Sequence, residues 1–148
     1  MFERFNEHAR RSLFFARYEA SRSSSRAIGT EHLLLGMLRE ADEAMSELFL
    51  SLNVSLPQLR TELLRELPTP ERATPSPDLP LAEDTKRALA FAVHEAESMG
   101  HSSVGTDHLL LGLLRLEYTT AAQYLQTHGF EVHTLREEVG RRWRERGA

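Results

Sequence analysis

Apolar residues recur at helical spacing from the first turn of the chain onward. Phe5, Ala9, Leu13, Ala16 and Ala20 step by four and three, which draws one apolar stripe along a first helix. Thr85, Leu89, Ala92 and Ala96 repeat most of that stripe later in the chain. The segments Leu33 to Leu38 and Leu109 to Leu114 are apolar nearly all round, the pattern of helices buried on most sides, and Gly36 and Gly112 within them leave room for a neighbouring helix. A third helix is predicted over about 42–52 and again over 119–128. A fourth is predicted over about 55–67 and 131–146, on Leu59, Leu63 and Leu67 and on Leu135, Val139 and Trp143. No segment alternates with strand period, so the fold class expected is all-α.

The two sets of helices are copies. Ile28-Gly29-Thr30-Glu31-His32-Leu33-Leu34-Leu35-Gly36-Met37-Leu38-Arg39 aligns with Val104-Gly105-Thr106-Asp107-His108-Leu109-Leu110-Leu111-Gly112-Leu113-Leu114-Arg115 at an offset of 76 residues. The same offset, without a gap, pairs Leu13 with Leu89, Glu19-Ala20 with Glu95-Ala96 and Leu59-Arg60 with Leu135-Arg136. Between the copies the proline-rich stretch 68–80 cannot continue a helix and is expected to be a linker. The expected organisation is one domain over 1–148, with repeat one at 1–67 and repeat two at 81–146. Its eight helices form two pseudo-symmetric four-helix repeats, packed together because neither half alone buries much core.

Composition narrows the chemistry. The chain has 148 residues, enough for this domain but not for an ATPase module as well. No apolar run reaches the roughly 18 residues of a membrane span, and the opening residues lack the apolar core of a signal peptide, so a cytoplasmic protein with no membrane partner is expected. There is no cysteine. Neither a Gly-x-x-x-x-Gly-Lys-Ser/Thr phosphate cradle nor a Gly-x-Ser-x-Gly elbow occurs, which argues against an enzyme and against a bound cofactor. The net charge of −4 gives no general attraction to nucleic acid. The terminal run Arg136, Arg141, Arg142, Arg144 and Arg146 around Trp143 could touch phosphates, but interleaved Glu137, Glu138 and Glu145 favour a solvated helix face.

What remains is the repeated Gly-Thr-Glu/Asp-His element. Thr30 and Thr106 suit the N-cap position, which places Glu31 and Asp107 in the first helical turn, where an acid stabilises the helix dipole by about 0.3–1 kcal/mol. That role alone accounts for them. A ligand role is the other reading: a carboxylate accepts two hydrogen bonds from a planar guanidinium, while first-turn N–H groups suit an attached phosphate. His32 and His108 read as hydrogen-bonded structural residues. A metal site built from them and the adjacent acids is disfavoured, since consecutive helical positions point about 100° apart.

The doubled Gly-Thr-Glu/Asp-His-Leu-Leu-Leu-Gly element, the opening Met1-Phe2-Glu3-Arg4-Phe5 and the turn Gly100-His101 resemble the Clp (Hsp100) N-terminal repeat domain, most nearly that of ClpC-type AAA+ unfoldases. The resemblance covers essentially the whole chain. It implies an all-α domain that receives substrates, adaptor proteins and arginine-phosphorylated proteins for a Clp protease or unfoldase. A free-standing adaptor or regulator is the alternative, and a nucleic-acid-binding helical protein a weaker one. By resemblance Glu31 and Asp107 match the acids that hold phosphoarginine, one per repeat, beside Thr30 and Thr106. Where the family has a threonine at the start of each first helix this chain has Asn6 and Ala82, and the first repeat reads Ser23-Ser24-Ser25 where the second has Met99-Gly100-His101. Unequal sites are therefore expected, with Glu31 the better guanidinium partner. Phe2, Phe5 and Leu81, at the entry to each first helix, are candidates for an adaptor or peptide groove, or else for core.

Overall fold

A computed structural model of the chain describes residues 3–67 and 78–147. Its regular elements are eight helices. Repeat one forms α1 (Glu7–Arg22), α2 (Thr30–Glu40), α3 (Glu43–Ser51) and α4 (Leu56–Glu66). Repeat two forms α5 (Glu83–Ser98), α6 (Thr106–Leu114), α7 (Thr120–Thr127) and α8 (Val132–Glu145). Most of the proline-rich stretch, 68–77, lies outside the described residues, as does Phe2.

The helices start and stop where local chemistry directs. Asn6 accepts the Ala9 N–H to cap α1, Ser55 the Gln58 N–H to cap α4, and Thr119 the Ala122 N–H to cap α7. At the end of α1, Ser24 takes a left-handed φ of 56°; its counterpart Gly100 has a φ of 72°. Glycine adopts that region freely whereas serine does so at a cost, so the first turn is the more strained copy.

Helices α2 and α6 are the hub. Each packs along the first helix of its own repeat, and the third helix of each repeat leans on the hub helix of the other, α3 on α6 and α7 on α2. Gly36 and Gly112 make the close crossings possible. A Cβ at Gly36 would sit 2.2 Å from the Ser12 carbonyl oxygen, and one at Gly112 would sit 2.2 Å from that of Ala88. The surrounding core includes Leu33, Leu34, Leu35, Leu109, Leu110 and Leu111, all buried, and Phe49 stacks against Phe130 with centroids 4.9 Å apart.

Two short backbone bridges tie the repeats crosswise. Asn6 N–H donates to the Val104 carbonyl at 2.9 Å and Val104 N–H to that of Arg4 at 2.8 Å. The pseudo-symmetric pair runs from Ile28 N–H to the Pro80 carbonyl at 2.8 Å and from Ala82 N–H to that of Ile28 at 3.0 Å. Each repeat's entry segment thus docks on the other repeat's turn. This geometry removes Phe5 as a groove wall: it is 2% exposed and bridges Val104, because its apolar ring closes the core between the halves. Leu81, bridged to Ile28, is partly buried against the same core.

A buried ion cluster also repeats. Glu95 on α5 accepts from Arg136 at 2.8 and 2.9 Å and from Arg115 at 3.3 Å, and Glu19 on α1 faces Arg60 at 3.4 Å and Arg39 at 3.8 Å. The aligned arginines are therefore spent on joining the first helix of each repeat to the fourth. No helix among the described residues is long and apolar enough to cross a membrane.

Candidate functional site

The Gly-Thr-Glu/Asp-His element is a compact unit whose parts explain one another. Gly29 and Gly105, not the threonines, occupy the N-cap positions, at φ of −87° and −106° that any residue adopts. Thr30 and Thr106 are the first helical residues. The histidine three positions on supplies the second half of a capping box, accepting the N–H of the cap residue itself: Gly29 N–H donates to His32 Nδ1 and Gly105 N–H to His108 Nδ1, both at 2.9 Å, while no side chain of the glycine caps the helix. The space over each glycine is taken by the acid two positions on. A Cβ at Gly29 would fall 1.8 Å from Glu31 Oε1, and one at Gly105 would fall 2.8 Å from Asp107 Oδ1, so each acid folds back over its own helix N-terminus.

An Nδ1 that accepts a backbone N–H carries no proton, so both imidazoles are neutral with the proton on Nε2. The approaches of Glu31 Oε1 to His32 at 3.6 Å and of Asp107 Oδ1 to His108 at 3.2 Å are therefore not ion pairs. Burial pushes His32 and His108 below the usual imidazole value, against the opposing pull of the neighbouring acids. The same Nδ1 bonds leave neither histidine free to present that nitrogen to a metal, and no group of three or more His, Asp or Glu among the described residues is placed to hold one.

The structure regroups the candidate residues. Asn6 belongs with Asp107, not Glu31, because the entry of α1 docks beside the turn before α6. Ala82 belongs with Glu31 for the same reason, its N–H bonded to the Ile28 carbonyl. The candidate residues fall into two groups, each drawn from both repeats: Glu31, Thr30 and Ala82, and Asp107, Thr106 and Asn6. The side chains of Asn6 and Ala82 also differ in availability, since Asn6 Oδ1 is held by its own helix cap and Ala82 offers no polar atom.

The two carboxylates stand in different states. Glu31 is partly exposed, and its one described polar neighbour is the neutral His32 ring at 3.6 Å. Asp107 is 3% exposed, with Oδ1 accepting the His108 N–H at 2.9 Å and Oδ2 accepting the Trp143 indole N–H at 2.7 Å. Trp143 stacks on His101 with centroids 4.0 Å apart and an interplanar angle of 8°, and His101 Nδ1 lies 2.8 Å from His108 Nε2. The chain of donors runs from Gly105 N–H to His108, from His108 Nε2–H to His101, and separately from Trp143 to Asp107. His101 is also held below its usual value, chiefly by burial and with Arg146 adding to it, against Asp107.

Neutral, buried histidines make stability depend on pH in a fixed direction. With folded values below the unfolded value near 6.5, the unfolded chain binds more protons, so stability is complete above about pH 6.5 and declines as pH falls below it. A urea midpoint lower at pH 5.5 than at pH 7.5 is the expected result, and a flat profile over that window would contradict the assigned neutral histidines.

Trp143 carries no sequence mark of a place beside Asp107, because the contact joins α8 to α6 through tertiary packing alone. The terminal arginines do not present a run of free guanidinium groups to phosphate. Arg136, Arg141 and Arg142 instead bind Glu95, Glu138 with Glu145, and Glu47.

Comparisons with known proteins agree with this architecture. Residues 4–128 match the family model described as Clp repeat (R) N-terminal domain. The chain is 34% identical over 139 residues to an ATP-dependent Clp protease ATP-binding subunit ClpA homolog of Porphyra purpurea, covering 94% of this chain and 17% of that protein. It is 33% identical over 139 residues to the chloroplastic chaperone protein ClpC1 of Oryza sativa subsp. japonica, covering 94% of this chain and 15% of that protein. The chain thus spans about one-sixth of the length of these curated relatives. Among solved structures, the N-terminal domain of the caseinolytic protease associated chaperone ClpD from Arabidopsis thaliana superposes with a TM-score of 0.73 at 26% identity, covering 97% of each chain. The N-terminal domain of the ClpV1 ATPase from E. coli shares the fold, with a TM-score of 0.73 at 20% identity over 93% of this chain and 84% of that one.

Proposed function

The chain belongs to the family of Clp repeat N-terminal domains, and from that premise we propose that it recognises proteins for a Clp ATPase by binding, without catalysis of its own. The observation that carries the reading is the Glu31 site. A carboxylate folded over the first turn of α2, partly exposed and hydrogen-bonded by no described donor, suits a planar guanidinium with two parallel N–H groups. Of the first-turn N–H groups beside it, that of His32 donates to the Gly29 carbonyl at 3.1 Å, whereas those of Thr30 and Glu31 have no described acceptor and favour an anion. In phosphoarginine the phosphoryl group is bonded to a terminal nitrogen of the guanidinium, so the two groups lie side by side and an arginine-phosphorylated substrate is the ligand these features fit best. The hydroxyl missing at Ala82 leaves the phosphate to the backbone.

Calorimetry with free phosphoarginine tests this. Glu31→Ala is expected to weaken binding by about tenfold or more, the effect of losing charge-assisted hydrogen bonds, whereas Asp107→Ala leaves it nearly unchanged. Equal heats in the parent and Glu31→Ala, or no heat in any of them, would refute the site.

A further inference from the structure

We infer that the last turn of α8 is a built-in occupant of the second site, so that this domain offers one open ligand position and one closed by its own C-terminal helix. The inference rests on the reading of Glu31 and Asp107 as guanidinium partners. What a ligand would supply at Asp107 is already present. The Trp143 indole N–H donates to Asp107 Oδ2 at 2.7 Å, in the role of a guanidinium N–H. Its ring is stacked on His101 and only 9% exposed, which fixes the indole over the carboxylate. Arg146, one turn on, lines the same recess as Asn6, Asp42 and Asp107, bringing a guanidinium of the chain itself. The Thr106 hydroxyl is taken as well, donating to Asp42 at 2.8 Å.

The first repeat serves as an internal control. The position equivalent to Trp143 is Leu67, which has no donor, and that equivalent to His101 is Ser25, which has no ring to stack on. The equivalent of Asp42 is Tyr118, whose hydroxyl donates to Asp84 at 2.7 Å and so is committed away from Thr30. Among the described residues none of these three closing contacts is repeated around Glu31. The difference between the sites thus lies in what covers them more than in the length of the acid. A closure that is non-covalent and made by one helical turn can be displaced, which makes the orientation of α8 a control on how many tagged residues the domain holds.

The test counts phosphoarginine equivalents by calorimetry in the whole chain. The parent is expected to bind one, lost in Glu31→Ala. Trp143→Leu with Arg146→Ser is expected to bind two, with affinity at Asp107 rising about tenfold or more and lost again when Asp107→Ala is added. Trp143→Phe with Arg146→Ser keeps a ring over His101 and removes the donor, so it reports the same gain if the leucine variant loses its helical circular dichroism. One equivalent in a folded opened variant overturns the closure and leaves the Glu31 reading intact. Two equivalents in the parent, the second lost in Asp107→Ala, overturn it likewise. No binding to any variant overturns the underlying reading and this inference with it.

Discussion

Gly36→Ala and Gly112→Ala are each expected to destabilise the domain by about 3 kcal/mol or more, the upper end of what overpacking a core costs. The atoms met by the new methyl are backbone: the Ser12 carbonyl at 2.2 Å and the Ala16 nitrogen at 2.7 Å for Gly36, and the Ala88 carbonyl at 2.2 Å and the Ala92 nitrogen at 2.9 Å for Gly112. A rotamer change cannot relieve such contacts, so α1 must separate from α2, or α5 from α6, and open the core around it. Against a total stability of about 5–15 kcal/mol that loss is large, and with a urea slope of about 1–3 kcal/mol per molar the midpoint should fall by about 1 M or more. Gly140→Ala supplies the contrast. Its Cβ would meet only the mobile end of Arg144 at 3.4 Å, and exchanging a mid-helix glycine for alanine there should leave the midpoint unchanged or raised.

Arg136→Ala is expected to cost about 3 kcal/mol, because it strands a buried carboxylate. Glu95 is 3% exposed and accepts two hydrogen bonds from Arg136, with Arg115 a longer third. Burial by itself would raise the Glu95 carboxyl, but the hydrogen bonds and charge of Arg136, with help from Arg115, hold it below the usual range. Removing Arg136 reverses that balance. The folded carboxyl then binds its proton more readily than the unfolded one, so the penalty is full at neutral pH and shrinks as pH falls through the raised value. Urea midpoints of parent and variant, compared at pH 7.5 and pH 4.5, should therefore converge at the lower pH. Adding Glu95→Gln should restore part of the loss at pH 7.5; equal midpoints for parent and Arg136→Ala would show that the cluster does not stabilise the fold.

Much of this architecture was legible in the sequence because it is periodic or local. The stripe from Ala9 to Ala20 and the all-round apolar run from Leu33 to Leu38 follow from helix geometry. The aligned Glu19 and Glu95, Arg60 and Arg136 carried a repeated ion cluster in plain view. Hydroxyl preference favours Thr30 over Gly29 as N-cap, whereas the structure starts the helix one residue earlier, with the histidine reaching back to the cap residue's own N–H. Glu31 beside Thr30 and Asp107 beside Thr106 are local and legible, but which entry residue joins each is not. An offset of 76 aligns equivalent residues, yet contacts across a pseudo-twofold join non-equivalent ones, so Asn6, in the same repeat as Glu31, has Asp107 of the other repeat as its neighbour. The Trp143 to Asp107 bond spans two helices 36 residues apart and leaves no local mark. Phe5 looked like an entry residue with a free face only because its cover, Val104, is supplied by the second repeat.

The crosswise bridges have a consequence for how the chain acquires its structure. The entry segment at Phe5 is satisfied by Val104, 99 residues further on, so a ribosome emerging with the complete first repeat has not yet supplied the partner that seals it. Ile28 waits in the same way for Leu81. Loop closure over such a separation comes late and slowly in folding. The first repeat must therefore persist during synthesis as a partly open bundle, its sealing residue exposed for the several seconds that elongation through the second turn requires at about 5–20 residues per second.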